Sequence, residues 1–332
     1  MTTRSVCISA CALLALVRSA REEPGATLAP EMVGEGTVST PADEFGGTLS
    51  ADGRSLYFTR SIPPHYLYAV CVSKMNNGKW SQPELLPFSG VWRDSDPVLS
   101  PDGRRLYFVS DRPVCAVPAG AASTQRVKRV CQDRHNFDIY VSKLVGGHWR
   151  DPERLPEPVS GPGTEFFASE AANGNLYFTS DREGSQGVDV YVARYANVRY
   201  EAPENLGSPV NGDHIANIEA FVAPDESYLL LGTFGRPGSG NCDLYVSFHQ
   251  HGRWTEPRNL GPNINSPARD YSPRVSPDGE WLLFGSEREG FANRMARPLT
   301  YAEFRNAVAG VHNGLGNIYR VPMAEVLALR NP

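Results

Sequence analysis

The sequence predicts an all-β fold, a β-propeller of five four-stranded blades, and three observations support this prediction. A unit of roughly 50 residues recurs along the 332-residue chain, which is a spacing typical of propeller repeats. Each unit contains four short segments with strand character, and no helical period separates one unit from the next. The 31 glycines and 27 prolines suit many short strands that are joined by tight turns.

The first two strands of each unit flank a tight turn, and an apolar run follows the turn. Proline presets φ for such a turn, aspartate bonds back to the backbone, and glycine accepts a positive φ. A turn of this kind joins two adjacent antiparallel strands. The turns and their apolar runs are Ala51-Asp52-Gly53 with Leu56-Tyr57-Phe58, Pro101-Asp102-Gly103 with Leu106-Tyr107-Phe108, Ala172-Asn173-Gly174 with Leu176-Tyr177-Phe178, Pro224-Asp225 with Leu229-Leu230-Leu231, and Pro277-Asp278-Gly279 with Leu282-Leu283-Phe284.

The third strand of each unit is rich in β-branched and aromatic residues. These strands are Ala69-Val70-Cys71-Val72, Asp138-Ile139-Tyr140-Val141, Asp189-Val190-Tyr191-Val192, Asp243-Leu244-Tyr245-Val246 and Asn317-Ile318-Tyr319-Arg320. An aromatic residue and then a proline follow the third strand in the first four units, and the segment after the proline predicts a short fourth strand. These pairs are Trp80 and Pro83, Trp149 and Pro152, Tyr200 and Pro203, and Trp254 and Pro257.

The last unit lacks such a fourth strand after Tyr319. The N-terminal segment 29–34 resembles the fourth-strand segments, and pairing it with the last unit would close the ring and cover two open edges. We therefore predict one propeller domain over residues 27–325, closed by an N-terminal strand, with residues 326–332 as a C-terminal tail. A sixth blade fits only if long insertions hide one.

The first residues predict an export signal over positions 1–20. Arg4 precedes a short apolar stretch that is too short to span a bilayer, and small residues follow at Ser19 and Ala20. Cleavage near Ser19 or Ala20 is the first expectation, lipidation at Cys11 is the alternative, and an uncleaved anchor ranks below both. Cleavage or lipidation predicts a periplasmic or secreted protein, with or without a lipid anchor, that has no membrane span after cleavage.

The net charge of −5 argues against a nucleic-acid partner, because such proteins usually carry a clustered basic surface. No two cysteines form a Cys-x-x-Cys pair, so a zinc or thioredoxin-like site is not expected. Cys71 aligns with the tyrosines of the other third strands, which predicts a core position. Cys115 and Cys131 lie in one long insertion, and a disulfide between them could staple it.

The repeats resemble the WD40-like Pro-Asp-Gly repeats of TolB-like propellers, over roughly residues 30–325. The motifs that carry the resemblance are Ser100-Pro101-Asp102-Gly103, Phe108-Val109-Ser110-Asp111-Arg112, Phe178-Thr179-Ser180-Asp181-Arg182 and Asn259-Leu260-Gly261-Pro262-Asn263-Ile264-Asn265. The resemblance implies a propeller of the periplasm or cell envelope that binds proteins or glycans. It is specific for the fold and much less specific for the function.

Catalytic motifs are hard to find in this sequence. It has no Gly-x-Ser-x-Gly elbow and no phosphate-binding glycine-rich loop before a helix. The only close histidine pair is His249 and His251, and a metal needs three or four converging ligands, so an exposed turn is the better interpretation. The sequence thus favours a binding protein over an enzyme and predicts no resident cofactor.

One set of positions recurs at the start of each first strand. The set consists of Glu44, Asp94, Glu165, Asn217 and Asp270. Because the first strand of a propeller blade lines the central channel, these residues are expected to form a ring at one mouth. The ring could bind Ca²⁺ or another divalent ion, a basic peptide or sugar hydroxyls. Alternatively, each residue belongs to its repeat and bonds neighbouring backbone groups at the blade junction.

Two long insertions, 113–136 and 289–316, fall on the same face as this ring. The first is basic and the second carries arginine and aromatic residues, which suit protein or glycan contacts. Alternatively, these loops only cap the channel. The candidate contact residues of this face are Arg112, Arg182, Arg288, Arg294 and Tyr301.

The leading functional prediction is an exported, monomeric binding or scaffold protein that engages a protein or glycan of the cell envelope on the insertion-bearing face. The alternative is a polysaccharide-active enzyme, a glycoside hydrolase or a lyase, that uses carboxylates at the channel mouth. Two carboxyl groups beside an open, aromatic-lined pocket would favour the enzyme, and a plugged mouth would disfavour it. A purely structural scaffold is the third hypothesis.

Overall fold

The computed structural model describes residues 29–62, 67–116, 130–132, 136–288 and 297–330. Within them the chain forms five antiparallel blades arranged as a β-propeller, so the predicted fold is confirmed. The predicted export signal, with Cys11, lies outside the described residues. No helix in the described ranges is long and apolar enough to cross a bilayer.

The strands follow the repeat unit by unit. The N-terminal strand is β1 (Glu31–Met32). Blade 1 contains β2 (Asp43–Leu49), β3 (Ser55–Ile62), β4 (Leu67–Asn76), β5 (Lys79–Trp80) and β6 (Glu84–Leu85). Blade 2 and its insertion contain β7 (Asp94–Leu99), β8 (Arg105–Ser110), β9 (Val114–Ala116), β10 (Val130–Gln132), β11 (Asp138–Val145), β12 (His148–Trp149) and β13 (Glu153–Arg154).

The remaining three blades repeat this order. Blade 3 contains β14 (Glu165–Glu170), β15 (Leu176–Ser180), β16 (Asp189–Ala193), β17 (Tyr195–Ala196), β18 (Arg199–Tyr200) and β19 (Glu204–Asn205). Blade 4 contains β20 (Ala216–Val222), β21 (Tyr228–Phe234), β22 (Cys242–Gln250), β23 (Arg253–Trp254) and β24 (Arg258–Asn259). Blade 5 contains β25 (Asp270–Val275), β26 (Trp281–Ser286) and β27 (Asn317–Pro322).

The N-terminal strand completes blade 5, as predicted. Strand β1 pairs antiparallel with β27, with Glu31 opposite Arg320 and Met32 opposite Tyr319. The Val33 amide then donates to the carbonyl of Ile318 at 2.8 Å. Because β27 would otherwise present an unpaired edge, this strand closes the ring between the first and last blades.

The recurrent turns are held by the side chains that the sequence motif supplies. In blade 2 the Ser100 hydroxyl donates to Asp102 at 2.5 Å, and the Arg104 amide donates to the same carboxylate at 3.0 Å. These bonds lower the pKa of Asp102 even though its burial acts in the opposite direction. Gly103 has a φ of +67°, a conformation that glycine adopts without steric cost. The Ser-Pro-Asp-Gly motif therefore recurs because its side chains and its glycine stabilise this turn.

The hydrophobic core lies between neighbouring blades, where side chains of the two inner strands interdigitate. Cys71 is one of these side chains, 2 % exposed and packed with Phe58 and Ile318, so the predicted core position is confirmed. Burial raises the pKa of its thiol to about 11, which keeps the thiol protonated and unreactive.

Each first strand is interrupted by a β-bulge where it passes the channel. The pairing with the second strand shifts between Phe45 and Thr48 in blade 1, and equivalent shifts occur in the other blades. In four blades the residue two positions after the ring residue has a left-handed φ. These residues are Gly46, Asp96, Phe167 and Ser272. The bulges therefore control which side chains turn toward the channel.

The two insertions are described in part. Strands β9 and β10 place Cys115 opposite Cys131 in register. The side chains of these cysteines lie outside the described part of the chain, so the disulfide stays a prediction. The second insertion contains helix α1 (Tyr301–Val308), which begins with a capping box between Thr300 and Glu303. The chain ends in α2 (Met323–Leu327) and a 3₁₀ turn, Ala328–Arg330.

Candidate functional site

The predicted ring residues lie at equivalent places, and each is buried within its own blade. The four carboxylates each bond an arginine from the end of the second strand of the same blade, at 2.5–3.0 Å. These pairs are Glu44 with Arg60, Asp94 with Arg112, Glu165 with Arg182, and Asp270 with Arg288. Asn217 accepts a bond from the Thr233 hydroxyl at 2.9 Å instead.

The arginines of these pairs also stack on aromatic rings inside the blade. Arg112 lies 5.1 Å from the Phe108 ring centre and 5.0 Å from that of Tyr140, and Arg182 and Arg288 repeat this geometry. The predicted contact residues Arg112, Arg182 and Arg288 are thus engaged in their blades, with side chains only 13–16 % exposed. These contacts are the ones expected if each ring residue belongs to its own repeat and holds the blade together. Ligand binding by the ring stays an untested prediction.

Burial, rather than repulsion within the ring, is the largest cause of the pKa shifts of Glu44, Asp94 and Glu165. Loss of solvation raises the pKa of Glu44 and of Asp94, although the arginine in each pair acts in the opposite direction. Burial likewise raises the pKa of Glu165 to about 7, with the Gly161 amide and Arg182 opposing it. Each acid is therefore part of a buried, hydrogen-bonded ion pair.

The channel mouth is lined by the residues that come one position after the ring residues. Successive side chains of a strand point to opposite faces, so a shift of one position moves a side chain from the blade to the channel. The lining residues of this kind are Phe45, Ser95, Phe166, Ile218 and Tyr271. With Asp43, Tyr68, Asp96, Phe137, Phe167, Glu219 and Arg269 they enclose a cavity of about 280 Å³, which we call the channel-mouth cavity.

Two carboxylates of the channel-mouth cavity share one serine. The Ser272 amide and hydroxyl donate to Glu219 at 2.5 and 3.0 Å, and the same hydroxyl lies 3.5 Å from a carboxylate oxygen of Asp96. The two carboxylates therefore approach within about 6.5 Å, since both lie within hydrogen-bond reach of one oxygen. Asp96, Glu219 and Ser272 belong to blades 2, 4 and 5, so this network crosses the channel.

A buried arginine lies beside these two acids. Arg274 is 1 % exposed, and its guanidinium lies 3.6 Å from the ring centre of Phe167. One of its nitrogens donates to the Pro273 carbonyl at 3.0 Å, whereas Nε and Nη2 have no protein partner in the described part of the chain. Burial lowers the pKa of Arg274 to about 10, and Asp96 and Glu219 oppose that shift. The guanidinium therefore remains charged at neutral pH.

The cavity perturbs the ionisation of its own acids. The pKa of Glu219 is raised to about 7, first by burial and then by the negative charge of Asp96, against the bonds from Ser272. Burial also raises the pKa of Asp96, with Arg274 opposing. The phenol of Tyr68 has its pKa raised to about 12, first by burial and then by Asp96 and Asp43. Perturbed acids in a concave site are a common feature of functional sites.

Backbone strain is concentrated at the same place. Asp96, Phe167 and Ser272 have φ values of 54°, 52° and 51°, a conformation that costs non-glycine residues free energy. Blade 1 has Gly46 at the equivalent position, where the conformation is unstrained. The chain therefore retains three side chains in a strained backbone conformation at the channel, where blade 1 has glycine.

The insertion residues lie elsewhere. Tyr301 is 79 % exposed on α1, and Arg294 falls outside the described residues. In the described parts of both insertions no residue lines the channel-mouth cavity, although Phe137 lines it directly after the first insertion. His249 stacks against Trp254 with ring centres 4.7 Å apart. Across the described ranges no cluster of three metal-ligating side chains occurs, and an ion at the mouth stays a prediction.

Sequence reasoning missed Asp96 and Glu219, and a usable signal was present. The position two residues after the ring residue differs in every blade, whereas the ring position is acidic in four of five. The occupants of the variable position are Gly46, Asp96, Phe167, Glu219 and Ser272. A residue that recurs in each repeat serves the blade, so the variable position was the better candidate for a ligand.

Comparisons with known proteins add little to this site. No protein-family model and no curated protein matches the chain. Similar solved structures include a protein assigned as TolB from Agrobacterium tumefaciens, at 15% identity and TM-score 0.45, covering 74% of this chain and 71% of that one. A protein of unknown function from Dyadobacter fermentans is 17% identical, with TM-score 0.47 and coverages of 79% and 81%.

An enzyme is also among the similar structures. The GH43 endo-arabinanase from Bacillus licheniformis is 11% identical, with TM-score 0.46, and the match covers 83% of this chain and 92% of that one. Similarities this weak carry no argument about activity, because one fold hosts many unrelated functions. The function has to be argued from the cavity.

Proposed function

We propose that this chain is an exported binding protein whose protein or glycan ligand contacts the insertion-bearing face and enters the channel-mouth cavity. The observation that supports this is the pair of carboxylates, Asp96 and Glu219, in a cavity walled by half-buried aromatic rings. Aromatic walls with a few convergent polar groups are the usual composition of a ligand site. The strained backbone at Asp96 and Ser272 supports the same conclusion.

The position of the cavity suits a ligand larger than the cavity itself. At about 280 Å³ it admits one side chain or one sugar ring, so most of a protein or glycan would remain outside. Phe137 lines the cavity directly after the first insertion, and long loops on a rigid scaffold commonly supply additional contacts. The exposed rings of Tyr301 and Phe304 on α1 of the second insertion would offer apolar area to such a ligand.

A thermal-shift screen of the full chain tests the proposal. The probes are peptidoglycan fragments, envelope oligosaccharides and short peptides, and the variant is Asp96→Asn combined with Glu219→Gln. We expect at least one probe to raise the melting temperature of the wild type and to lose that effect in the double variant. Glu183→Gln is the matched control, because this exposed acid lies on the same face. Stabilisation that persists in the double variant would place the ligand elsewhere.

A second candidate function is hydrolysis of a polysaccharide. The supporting observation is that the nearest oxygens of the Asp96 and Glu219 carboxylates lie at most about 6.5 Å apart, a limit that admits the roughly 5–5.5 Å separation of retaining glycosidases. Glu219, with its pKa near 7, would act as general acid, and Asp96 as base or nucleophile. Release of reducing sugar from arabinan, xylan or peptidoglycan, abolished by Glu219→Gln, would establish the enzyme. Binding without turnover would favour the first proposal.

A further inference from the structure

We infer that the channel-mouth cavity holds an organic cation, the ammonium or guanidinium group of a lysine or arginine side chain in a protein partner. The group would lie between Asp96 and Glu219. This inference rests on the proposed binding function and names the chemistry of the ligand. Three observations support it: the charge balance of the cavity, its aromatic walls and its size.

The positive charges near Asp96 and Glu219 do not fully balance the two carboxylates. Arg269 bonds Glu287 at 3.1 Å, so its charge is already engaged. Arg93 likewise bonds Asp111 at 2.7 Å. Arg274 is the remaining cation nearby, and it makes no hydrogen bond to either acid. In the described part of the chain, the hydrogen-bond donors to Asp96 and Glu219 are neutral: Ser95 and Ser272. When both acids are ionised, the site therefore carries a net negative charge.

A buried negative charge favours a cation over a neutral ligand. Sugar hydroxyls could donate to both carboxylates, but they would leave the excess charge in a poorly solvated site, where it is costly. A bound ammonium or guanidinium supplies hydrogen bonds and charge together. A calcium ion would need six to eight oxygen ligands, and the described residues bring together no cluster of three ligating side chains.

The aromatic walls fit the same ligand. Three arginines of the chain already stack on rings that line this mouth: Arg93 on Phe137 at 4.7 Å, Arg269 on Tyr271 at 4.8 Å and Arg274 on Phe167 at 3.6 Å. Phe45 and Phe166 are half-buried, and no arginine stacks on either ring among the residues described. A cation near these rings gains cation–π attraction in addition to the carboxylate contacts.

The cavity is large enough to hold one side chain and too small to admit a folded surface. A volume of about 280 Å³ accommodates one extended lysine or arginine, whose methylene groups would lie against Phe45 and Phe166. The backbone of the partner would remain at the mouth, near the loops of the insertion-bearing face. The inferred ligand is therefore a basic residue of a protein, presented on a loop or at a chain end.

The cation should also change the protonation of Glu219. The charged and titratable groups that face this carboxyl are Asp96 on β7, Cys242 on β22, Arg269 directly before β25, and Tyr271 and Arg274 on β25. Below about pH 7 Glu219 binds a proton, and the neutral acid attracts a cation weakly. Affinity for the cation is therefore expected to rise from pH 6 to pH 8 and to level off above, with release of a proton on binding.

Four small probes test the inference by NMR titration and calorimetry on the full chain. The cationic probes are the Nα-acetyl methylamides of arginine and lysine, and the neutral probes are those of citrulline and norleucine. We expect the arginine probe to bind at least about tenfold more tightly than its citrulline isostere, since charged hydrogen bonds are lost. Equal binding of citrulline would overturn the inference, and so would no binding of either cation at millimolar concentration.

Two conservative variants test the site without disturbing the fold. Glu219→Gln and Asp96→Asn preserve shape, and asparagine tolerates the left-handed backbone at position 96. Each is expected to weaken the arginine probe at least about tenfold and to leave the citrulline probe unchanged. Circular dichroism confirms folding, and Glu183→Gln is the control. Unchanged arginine affinity in both variants would refute the assigned site.

The outcomes also separate this inference from the proposed function. If a neutral oligosaccharide binds, loses affinity in both variants, and no cationic probe competes, then the cavity is a glycan site and the inference is wrong. If neither cations nor glycans nor peptides bind at the cavity, both the inference and the proposed function fail. If Ca²⁺ binds and this binding is lost in the same variants, the inference of an organic cation is likewise wrong.

Discussion

Replacement of Glu219 by glutamine is expected to stabilise the protein at alkaline pH. Burial raises the pKa of this carboxyl from 4.5 to about 7 in the folded state, so the folded protein holds the proton more tightly than the unfolded chain. The resulting stabilisation is complete below the unfolded pKa and is lost as the pH rises through about 7. At about 1.36 kcal/mol per pKa unit, ionising Glu219 in the folded state costs about 3 kcal/mol.

Urea unfolding at pH 5 and pH 8 measures this difference. At pH 5 the wild type and Glu219→Gln are expected to agree within about 1 kcal/mol, because the protonated acid and the amide make similar contacts with Ser272. At pH 8 the variant should be more stable by about 2–3 kcal/mol. Glu165 also has a pKa of about 7, so the difference between the two proteins, rather than the wild-type curve alone, isolates Glu219.

Two results would refute this reasoning. A variant that is less stable than wild type at pH 8 would show that the carboxylate is ionised and favourably paired, and Arg274 would be its partner. A difference that does not change between pH 5 and pH 8 would show that Glu219 keeps an ordinary pKa. Either result would show that the Glu219 carboxylate is not an uncompensated buried charge. Glu183→Gln, an exposed change on the same face, should be neutral at both pH values.

Two further predictions concern the architecture. Arg288→Ala should lower the free energy of unfolding by about 3–5 kcal/mol, because the buried Asp270 carboxylate loses its ion-pair partner. Arg297→Ala, at a fully exposed pair, should leave the free energy of unfolding nearly unchanged. Equal effects in urea unfolding would contradict the architectural role. Deletion of residues 29–34 should open the ring at β27, lower the melting temperature and promote association through the exposed edge, as measured by calorimetry and light scattering. An unchanged melting temperature would show that the closing strand contributes no stability.

The blades could be predicted from the sequence because each landmark satisfies a local physical requirement. The turn at Pro101-Asp102-Gly103 needs a residue that bonds back to the backbone and one that accepts a positive φ, and both recur in register. The closing strand followed from a missing fourth strand after Tyr319. Such signals depend on neighbours in sequence, so no three-dimensional information was needed.

The cavity could not be predicted in the same way, because it depends on which side chains cross the channel. The sequence placed the first strands around the channel, but the bulges decide which residue of each strand turns inward. Asp96 and Glu219 come from blades 2 and 4, and only closure of the ring brings them to one serine. The ring acids attracted attention because they recur, and recurrence indicated their role in the blade.

The channel-mouth cavity is destabilising as it stands, and that is the strongest argument that it serves a ligand. Ionised Glu219 costs about 3 kcal/mol, and the left-handed conformations of Asp96, Phe167 and Ser272 cost of order 1 kcal/mol each. The blade architecture does not require these costs, since blade 1 has Gly46 at the equivalent position and no carboxylate there. A cation bound between the two acids would offset the cost of ionising Glu219, because each carboxylate would then be paired. The stabilisation by a saturating basic ligand should therefore be larger at pH 8 than at pH 5, and a ligand that stabilises equally at both would not be the one that this cavity fits.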